Sequence, residues 1–261
     1  MPKKNYLSRE EQIIYTKIVK TDVIEHEQIK ELFPDYAPQK INKLCHTLIS
    51  KGYLYPLKRG TYIVNNTPAD RPVIKNPFAL ASYINKGYLG FSSALRLYDL
   101  IDYEPFTVFI VTENKSSEKT VGNYLFKTVS MDVKATGATL HKNVYVSTIE
   151  KTVFDCFYKP QYAGGYRELS KAISNITHIN WNQVLNYFNT YASDALFQRT
   201  GYILEILHKE NLLALPKYVL IEFKKHIKNN SKLIPTGASK GKYCGGWKII
   251  DNLGKEKIIS W

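Results

Sequence analysis

The apolar residues of this chain change their period at Gly52. Before it they recur every three or four positions in three short blocks, and after it they alternate. A chain written this way can fold into few things within 64 residues: three amphipathic helices followed by a two-stranded hairpin.

The first helix starts at Ser8, an N-cap residue with acids in the first turn. Glu11 three residues on completes a capping box, and Ile13, Ile14, Ile18 and Val19 carry the stripe to about Lys20. A second helix spans Glu25 to Phe33, with Ile29, Leu32 and Phe33 as its apolar side and Pro34 as its stop. Pro38 suits the first position of a third, PQKINKLCHTLIS, which ends near Gly52. Its stripe is Ile41, Leu44, Cys45, Leu48 and Ile49. Gln39, Lys40, Asn42, Lys43, His46 and Thr47 fall on the other side. The stretch YLYPLKRGTYIV then reads as a hairpin, with Tyr53, Tyr55, Tyr62 and Val64 packing back on the helices and Lys58 and Arg59 at the tip beside the turn residue Gly60.

That order is the order of a winged helix-turn-helix, in which the third helix enters the major groove. Gln39 and Asn42 have the chemistry to address adenine; Lys40 and Lys43 have that for guanine or phosphate, and His46 and Thr47 share their face. Lys58 and Arg59 would meet phosphate or a minor groove. A winged helix can also serve as a protein-interaction module, and a Lys-Arg turn occurs on many hairpins.

Charge supports an anionic partner. The net charge is +13, distributed as +5 over residues 1–75, +1 over 76–214 and +7 over 215–261. The basic end carries Lys224, Lys225, Lys228, Lys232, Lys240 and Lys242, a second positive surface expected either to add flanking-DNA contacts or to be a solvated helix face.

Residues 67–76, rich in Pro, Asn and Asp, read as a linker between a 1–66 domain and a 77–261 domain. In the latter, helices are expected at Phe78–Ile84 and Phe91–Asp102, the second capped by Ser92 or Ser93. Strands are expected at Thr107–Thr112, Asn123–Ser130, Ala135–Leu140 and Asn143–Thr148, with a loop at Asn114–Lys119. From Thr148 the chain turns helical, and YCGGWKIIDNLGKEKIISW suggests a closing hairpin that turns at Asp251–Lys255. The expected class is α+β: an N-terminal winged helix followed by a small sheet and then helices.

Catalytic and metal signatures do not emerge. GASKGKY, Gly237 to Tyr243, is one residue short of a phosphate-binding loop and has Tyr243 where Ser or Thr would hold magnesium. Gly164 and Gly165 precede a helix, and a simple turn is favoured there over an anion site. The carboxylates Asp99, Asp102, Glu150, Asp155 and Glu168 are scattered, and Glu150 and Asp155 read as capping and surface charge. Cys45, Cys156 and Cys244 have no metal or disulfide spacing. No cofactor, metal or enzymatic activity is expected. Neither a membrane span nor a leader is apparent, which suggests a cytoplasmic protein.

Several stretches taken in order resemble the AbiEi family, the antitoxins and transcriptional regulators of abortive-infection toxin–antitoxin pairs. They are GYLGFSSALRLYDLID followed by PFTVFIVT, then VSTIEKTVFDCFY followed by YRELSKAI. Lys51, Gly52, Leu54, Leu57, Arg59, Gly60 and Tyr62 also fit that family's KGxLxxLxRGxY hairpin. The likeness spans roughly residues 8 to 175 and, more faintly, the basic end with Trp247. It implies two jobs: repression of its own operon through an inverted-repeat operator in double-stranded DNA, and neutralisation of a cognate nucleotidyltransferase-like toxin, usually without a stable complex. Self-association on DNA would fit a repeat operator. The competing reading is a stand-alone regulator whose C-terminal domain senses a ligand or dimerises.

Overall fold

A computed structural model describes residues 6–261; residues 1–5, where the expected 1–66 domain opens and part of the leader reading falls, lie outside them. Helix and strand are mixed, and the chain is of α+β class. It divides into two compact units. One comprises the residues up to 86 together with 117–127, the other 87–116 and 128–261.

In the first unit, α1 (Arg9–Ile18) starts at the Ser8 capping box. The box is reinforced by Lys51, whose Nζ lies 2.6 Å from the buried Glu11 carboxylate. Burial pushes that carboxyl up, but the Lys51 and Ser8 hydrogen bonds outweigh it and the net shift is down. Strand β1 (Val23–Glu25) follows, then α2 (His26–Leu32) and α3 (Pro38–Ser50). The hairpin is β2 (Leu54–Lys58) and β3 (Thr61–Val64), with a bulge between Pro56 and Lys58. β1 adds to β3 antiparallel, so the sheet has three strands in the order β1-β3-β2. At three residues, β1 is too short to show alternation.

The core of this unit gathers Ile14, Ile18, Ile24, Ile29, Phe33, Ile41, Leu44, Cys45, Leu48, Leu54 and Val64. The hairpin's buried apolar residues are Leu54, Leu57, Ile63 and Val64. The expected anchors Tyr53, Tyr55 and Tyr62 are only half-buried, and the bulge between Pro56 and Lys58 resets the alternation on β2.

Residues 67–76 carry no helix or strand, yet they are held within this unit. The buried Asn65 side chain accepts from the Val73 amide and donates to the Gly52 carbonyl, both at 2.9 Å, and Lys75 pairs with Asp22 at 2.8 Å. Gly52, at φ +78°, also accepts the Ala69 amide at 3.1 Å, and a Cβ there would stand 2.5 Å from the Ala69 oxygen. After them, α4 (Pro77–Ile84) starts at the Asn76 side-chain cap.

The second unit opens with β4 (Tyr88–Leu89), α5 (Phe91–Leu97) and β5 (Thr107–Thr112). Helix α5 is shorter than its apolar pattern, since Asp99 takes a left-handed φ of +57°. Neither serine caps it. Gly90 is the N-cap, while Ser93 is buried and its Oγ accepts the Phe109 amide at 2.9 Å.

Next come β6 (Ser117–Val121) and β7 (Tyr124–Ser130), neighbouring strands joined by a turn at Gly122 (φ +57°). Residues 117–127 of this hairpin belong to the first unit. The loop expected through Lys119 is thus a strand from Ser117. Its residues are exposed except for Val121, so no apolar alternation announces it.

Strands β8 (Ala138–His141) and β9 (Val144–Ser147) pair antiparallel, β9 pairs parallel with β4, and β4 pairs antiparallel with β5. Helices α6 (Ile149–Tyr158), α7 (Gly165–Ser174), α8 (Trp181–Tyr191), α9 (Asp194–Lys209) and α10 (Lys217–Lys224) follow. Their centre is aromatic: Phe188 lies 4.9 Å from Phe223 and 5.2 Å from Phe154, ring centre to ring centre.

The end of the chain differs from the expected hairpin. β10 (Ser231–Lys232) and β11 (Lys242–Cys244) flank β12 (Ile249–Asp251), so the turn lies at Gly245–Lys248. Asp251 Oδ1 then accepts the amides of Leu253 and Gly254, and α11 (Lys255–Ile259) takes the place of a strand. The alternation around Trp247 is broken by a 3-10 turn, and Ile258 is buried from a helix.

Two features set this unit's stability. Trp247 is buried against α9 at Gly201, where a Cβ would stand 2.2 Å from the indole Cη2. Gly201→Ala should therefore destabilise by about 1–3 kcal/mol, against the roughly 1 kcal/mol that alanine gains in an open helix. A denaturant titration reading equal or greater stability would overturn this. On α6, Lys151 and Asp155 form a fully buried i,i+4 pair, and Lys151 Nζ also reaches the Tyr88 hydroxyl at 3.3 Å. Burial pushes the Asp155 carboxyl up to about 6 and the Lys151 ammonium down, and their mutual attraction opposes both shifts. Lys151→Met should cost about 3–5 kcal/mol by stranding the carboxylate. That variant should recover stability as the pH falls, because a carboxyl whose folded pKa exceeds its unfolded one favours the fold when protonated. The double change Lys151→Met with Asp155→Leu should cost much less. Equal losses would remove charge stranding as the cause.

Candidate nucleic-acid interface

Helix α3 has no carboxylate in its 13 residues, and Pro38 occupies its first turn. Burying Ile41, Leu44, Cys45 and Leu48 leaves Gln39, Asn42, Lys43 and His46 exposed, at spacings of three, four and seven that place them on one side. None of the four side chains has a hydrogen-bond or ion-pair partner among the described residues. Burial among apolar groups pushes the Cys45 thiol up to about 11, which fits a core filler.

Two expected members of this face have partners within the unit. Lys40 Nζ pairs with the Glu10 carboxylate of α1 and lies 4.2 Å over the Tyr36 ring. It is held between α1 and the α2–α3 turn, so it is a brace of the helices rather than a free reader. Thr47 Oγ1 donates to the Lys43 carbonyl at 2.7 Å, one turn back along α3.

At the hairpin tip, Lys58 and Arg59 are exposed and unpartnered among the described residues. Gly60, at φ +72°, closes the turn, and its carbonyl accepts the His26 amide at 2.8 Å. The tip is therefore tied to the start of α2. Lys119 of β6 donates to the Leu57 carbonyl from the other side. This third cation at the tip is missed by sequence reasoning, because only the fold brings residue 119 beside residue 57.

The six lysines of the basic end are in the second unit, and four are engaged. Lys224 pairs with Glu205 at 3.0 Å and covers the Trp247 ring, Lys225 pairs with Glu222, Lys228 with Asp194, and Lys232 donates to the Gly237 carbonyl. Lys240 and Lys242 remain exposed without partners among the described residues. The stretch from Gly237 to Tyr243 runs into β11 with no helix behind it, so its amides form no phosphate cradle at a helix start.

Asp155, read from sequence as surface charge, is instead fully buried against Lys151. The apolar stripe of α6 runs on both sides of it, and the i,i+4 lysine supplies the counter-charge that makes burial tolerable. Glu150 accepts the Asn180 amide at 3.0 Å. Among the described residues, no group of three His, Cys, Asp or Glu side chains is placed to hold a metal ion, and no helix is long and apolar enough to cross a membrane.

No protein-family model matches this chain, and no curated protein matches its sequence. Among solved structures, the chain is similar to the crystal structure of the Rv2827c protein from Mycobacterium tuberculosis. The likeness covers 95% of this chain and 93% of that one, with a TM-score of 0.70 and 12% identity. At that identity the two share a fold.

Proposed function

We propose that the first unit is a winged helix-turn-helix that binds duplex DNA, with α3 in the major groove and the β2–β3 tip against the backbone. The carrying observation is the outward side of α3: Gln39, Asn42, Lys43 and His46 are exposed, unpartnered among the described residues, and on a helix without a carboxylate. Supporting it are the element order α1-β1-α2-α3-β2-β3 and the cations Lys58, Arg59 and Lys119 at the tip. In this reading Asn42 and Gln39 address bases, Lys43 and His46 address bases or phosphate, and the tip addresses phosphate. Lys40 positions the helix, and Thr47 is bonded within it.

The chain as a whole is then a transcriptional autorepressor acting on an inverted repeat, and an antitoxin that counteracts a nucleotidyltransferase-like toxin. The antitoxin half rests on the order of motifs shared with the AbiEi family.

DNA binding is tested by fluorescence anisotropy on duplexes from the chain's own upstream region. Lys58→Ala with Arg59→Ala should lower the salt slope of binding by about two, near one per phosphate contact. Asn42→Ala should cost about 1–3 kcal/mol on the preferred duplex and less on others. Each variant should keep its folding stability within about 0.5 kcal/mol, since none of these side chains is buried or paired. Unchanged affinity and slope in these folded variants would overturn the interface.

The antitoxin half is tested by colony survival when the adjacent open reading frame is induced, with and without this protein. Rescue is expected, and it should persist when Lys58 and Arg59 are changed to alanine. A toxic neighbour that this protein does not rescue would remove the antitoxin reading and leave the regulator.

A further inference from the structure

A pocket of about 830 Å3 in the second unit is bounded by the end of α6, the start of α7, α9 and the segments 234–236 and 253–260. Its charged lining is Arg167, Arg199 and Lys257, and no carboxylate lines it. Arg167 and Lys257 have no hydrogen-bonded or ion-paired side-chain partner among the described residues. Arg199 uses only Nε, which donates to the Lys232 carbonyl at 2.9 Å, so its terminal nitrogens are free for another acceptor.

The contrast with the rest of the unit is informative. Lys209 and Lys224 share Glu205, Lys228 takes Asp194 and Lys255 takes Glu210. Those four lysines are neutralised by nearby carboxylates, whereas here three cations line one concavity with no carboxylate in its lining. Such an arrangement is set up for an anion that enters from outside.

The remainder of the lining fits more than a bare ion. Phe157, Tyr166, Leu196 and Pro235 give it an apolar wall, and its volume lies in the range of small-molecule sites. Gly164 and Gly165 stand at the mouth, both at φ +82°, and a Cβ at Gly165 would meet nothing within 4 Å. No side chain caps the first turn of α7 behind them.

We propose that this pocket binds a phosphorylated small molecule of nucleotide size, with phosphates on Arg167, Arg199 and Lys257 and a planar ring against the apolar wall. The site lies in the second unit, separate from α3, and does not depend on DNA binding.

The test is calorimetry and thermal melting of the full chain with ATP, GTP, inorganic tripolyphosphate and adenosine. ATP or GTP should bind and raise the melting temperature, tripolyphosphate should bind more weakly, and adenosine should not bind. Arg167→Glu and Lys257→Glu should each weaken the nucleotide by about tenfold or more while the unliganded melting temperature stays the same. Lys217→Glu, an exposed charge reversal outside the pocket, should leave binding intact. No binding at millimolar nucleotide would overturn the proposal, as would binding that survives both pocket reversals or falls equally with Lys217→Glu. Tripolyphosphate binding as tightly as ATP would remove the ring from the assignment.

Discussion

The outward side of α3 exists because its inward side is fixed. Ile41, Leu44, Cys45 and Leu48 pack into a core shared with α1, α2 and the hairpin, and a helix cannot turn about its axis without bringing Asn42 or Lys43 into that core. Lys40 adds a polar lock: bound to Glu10 and lying over Tyr36, it joins α3 to the two elements before it. The part-buried Glu11–Lys51 pair fastens the other end of the helix to α1. Four exposed side chains are presented with little freedom in the backbone that carries them.

This arrangement separates positioning from contact. Lys40 and Lys43 are three residues apart and chemically identical, yet one is held by a carboxylate and an aromatic ring while the other is free. The same division occurs in the basic end, where Lys224 shields Trp247 and answers Glu205, and Lys240 and Lys242 do neither. Net charge marks a region as basic, but the carboxylates the fold brings near decide which cations remain available to a partner.

Much of this is legible in the sequence, for identifiable reasons. The helical stripes, the Ser8–Glu11 box, the proline starts and the Lys-Arg turn are local, and local patterns survive folding. The three-residue β1 and the helix at Lys255–Ile259 are not legible, because packing distant in sequence determines them, and the strand at Ser117–Val121 is not, because its exposed residues carry no apolar alternation. The tip lysine Lys119 and the cation-lined pocket belong to the same class: Arg167, Arg199 and Lys257 are spread over 90 positions, and no spacing rule joins them. Asp155 misleads for the opposite reason, since a carboxylate on a helix is usually solvated and only the tertiary packing reveals its buried partner.

The seat of Trp247 on Gly201 bears on how the chain is made. The Gly201 side of α9 is not covered until the indole arrives, 120 residues after the last segment of the first unit. Synthesis at about 5–20 residues per second therefore completes the first unit, whose last segment ends at residue 127, about 6 to 24 seconds before the second unit can close. For that interval a nascent chain carries a finished N-terminal unit joined to an open helical one, so the two halves become available to any partner in sequence.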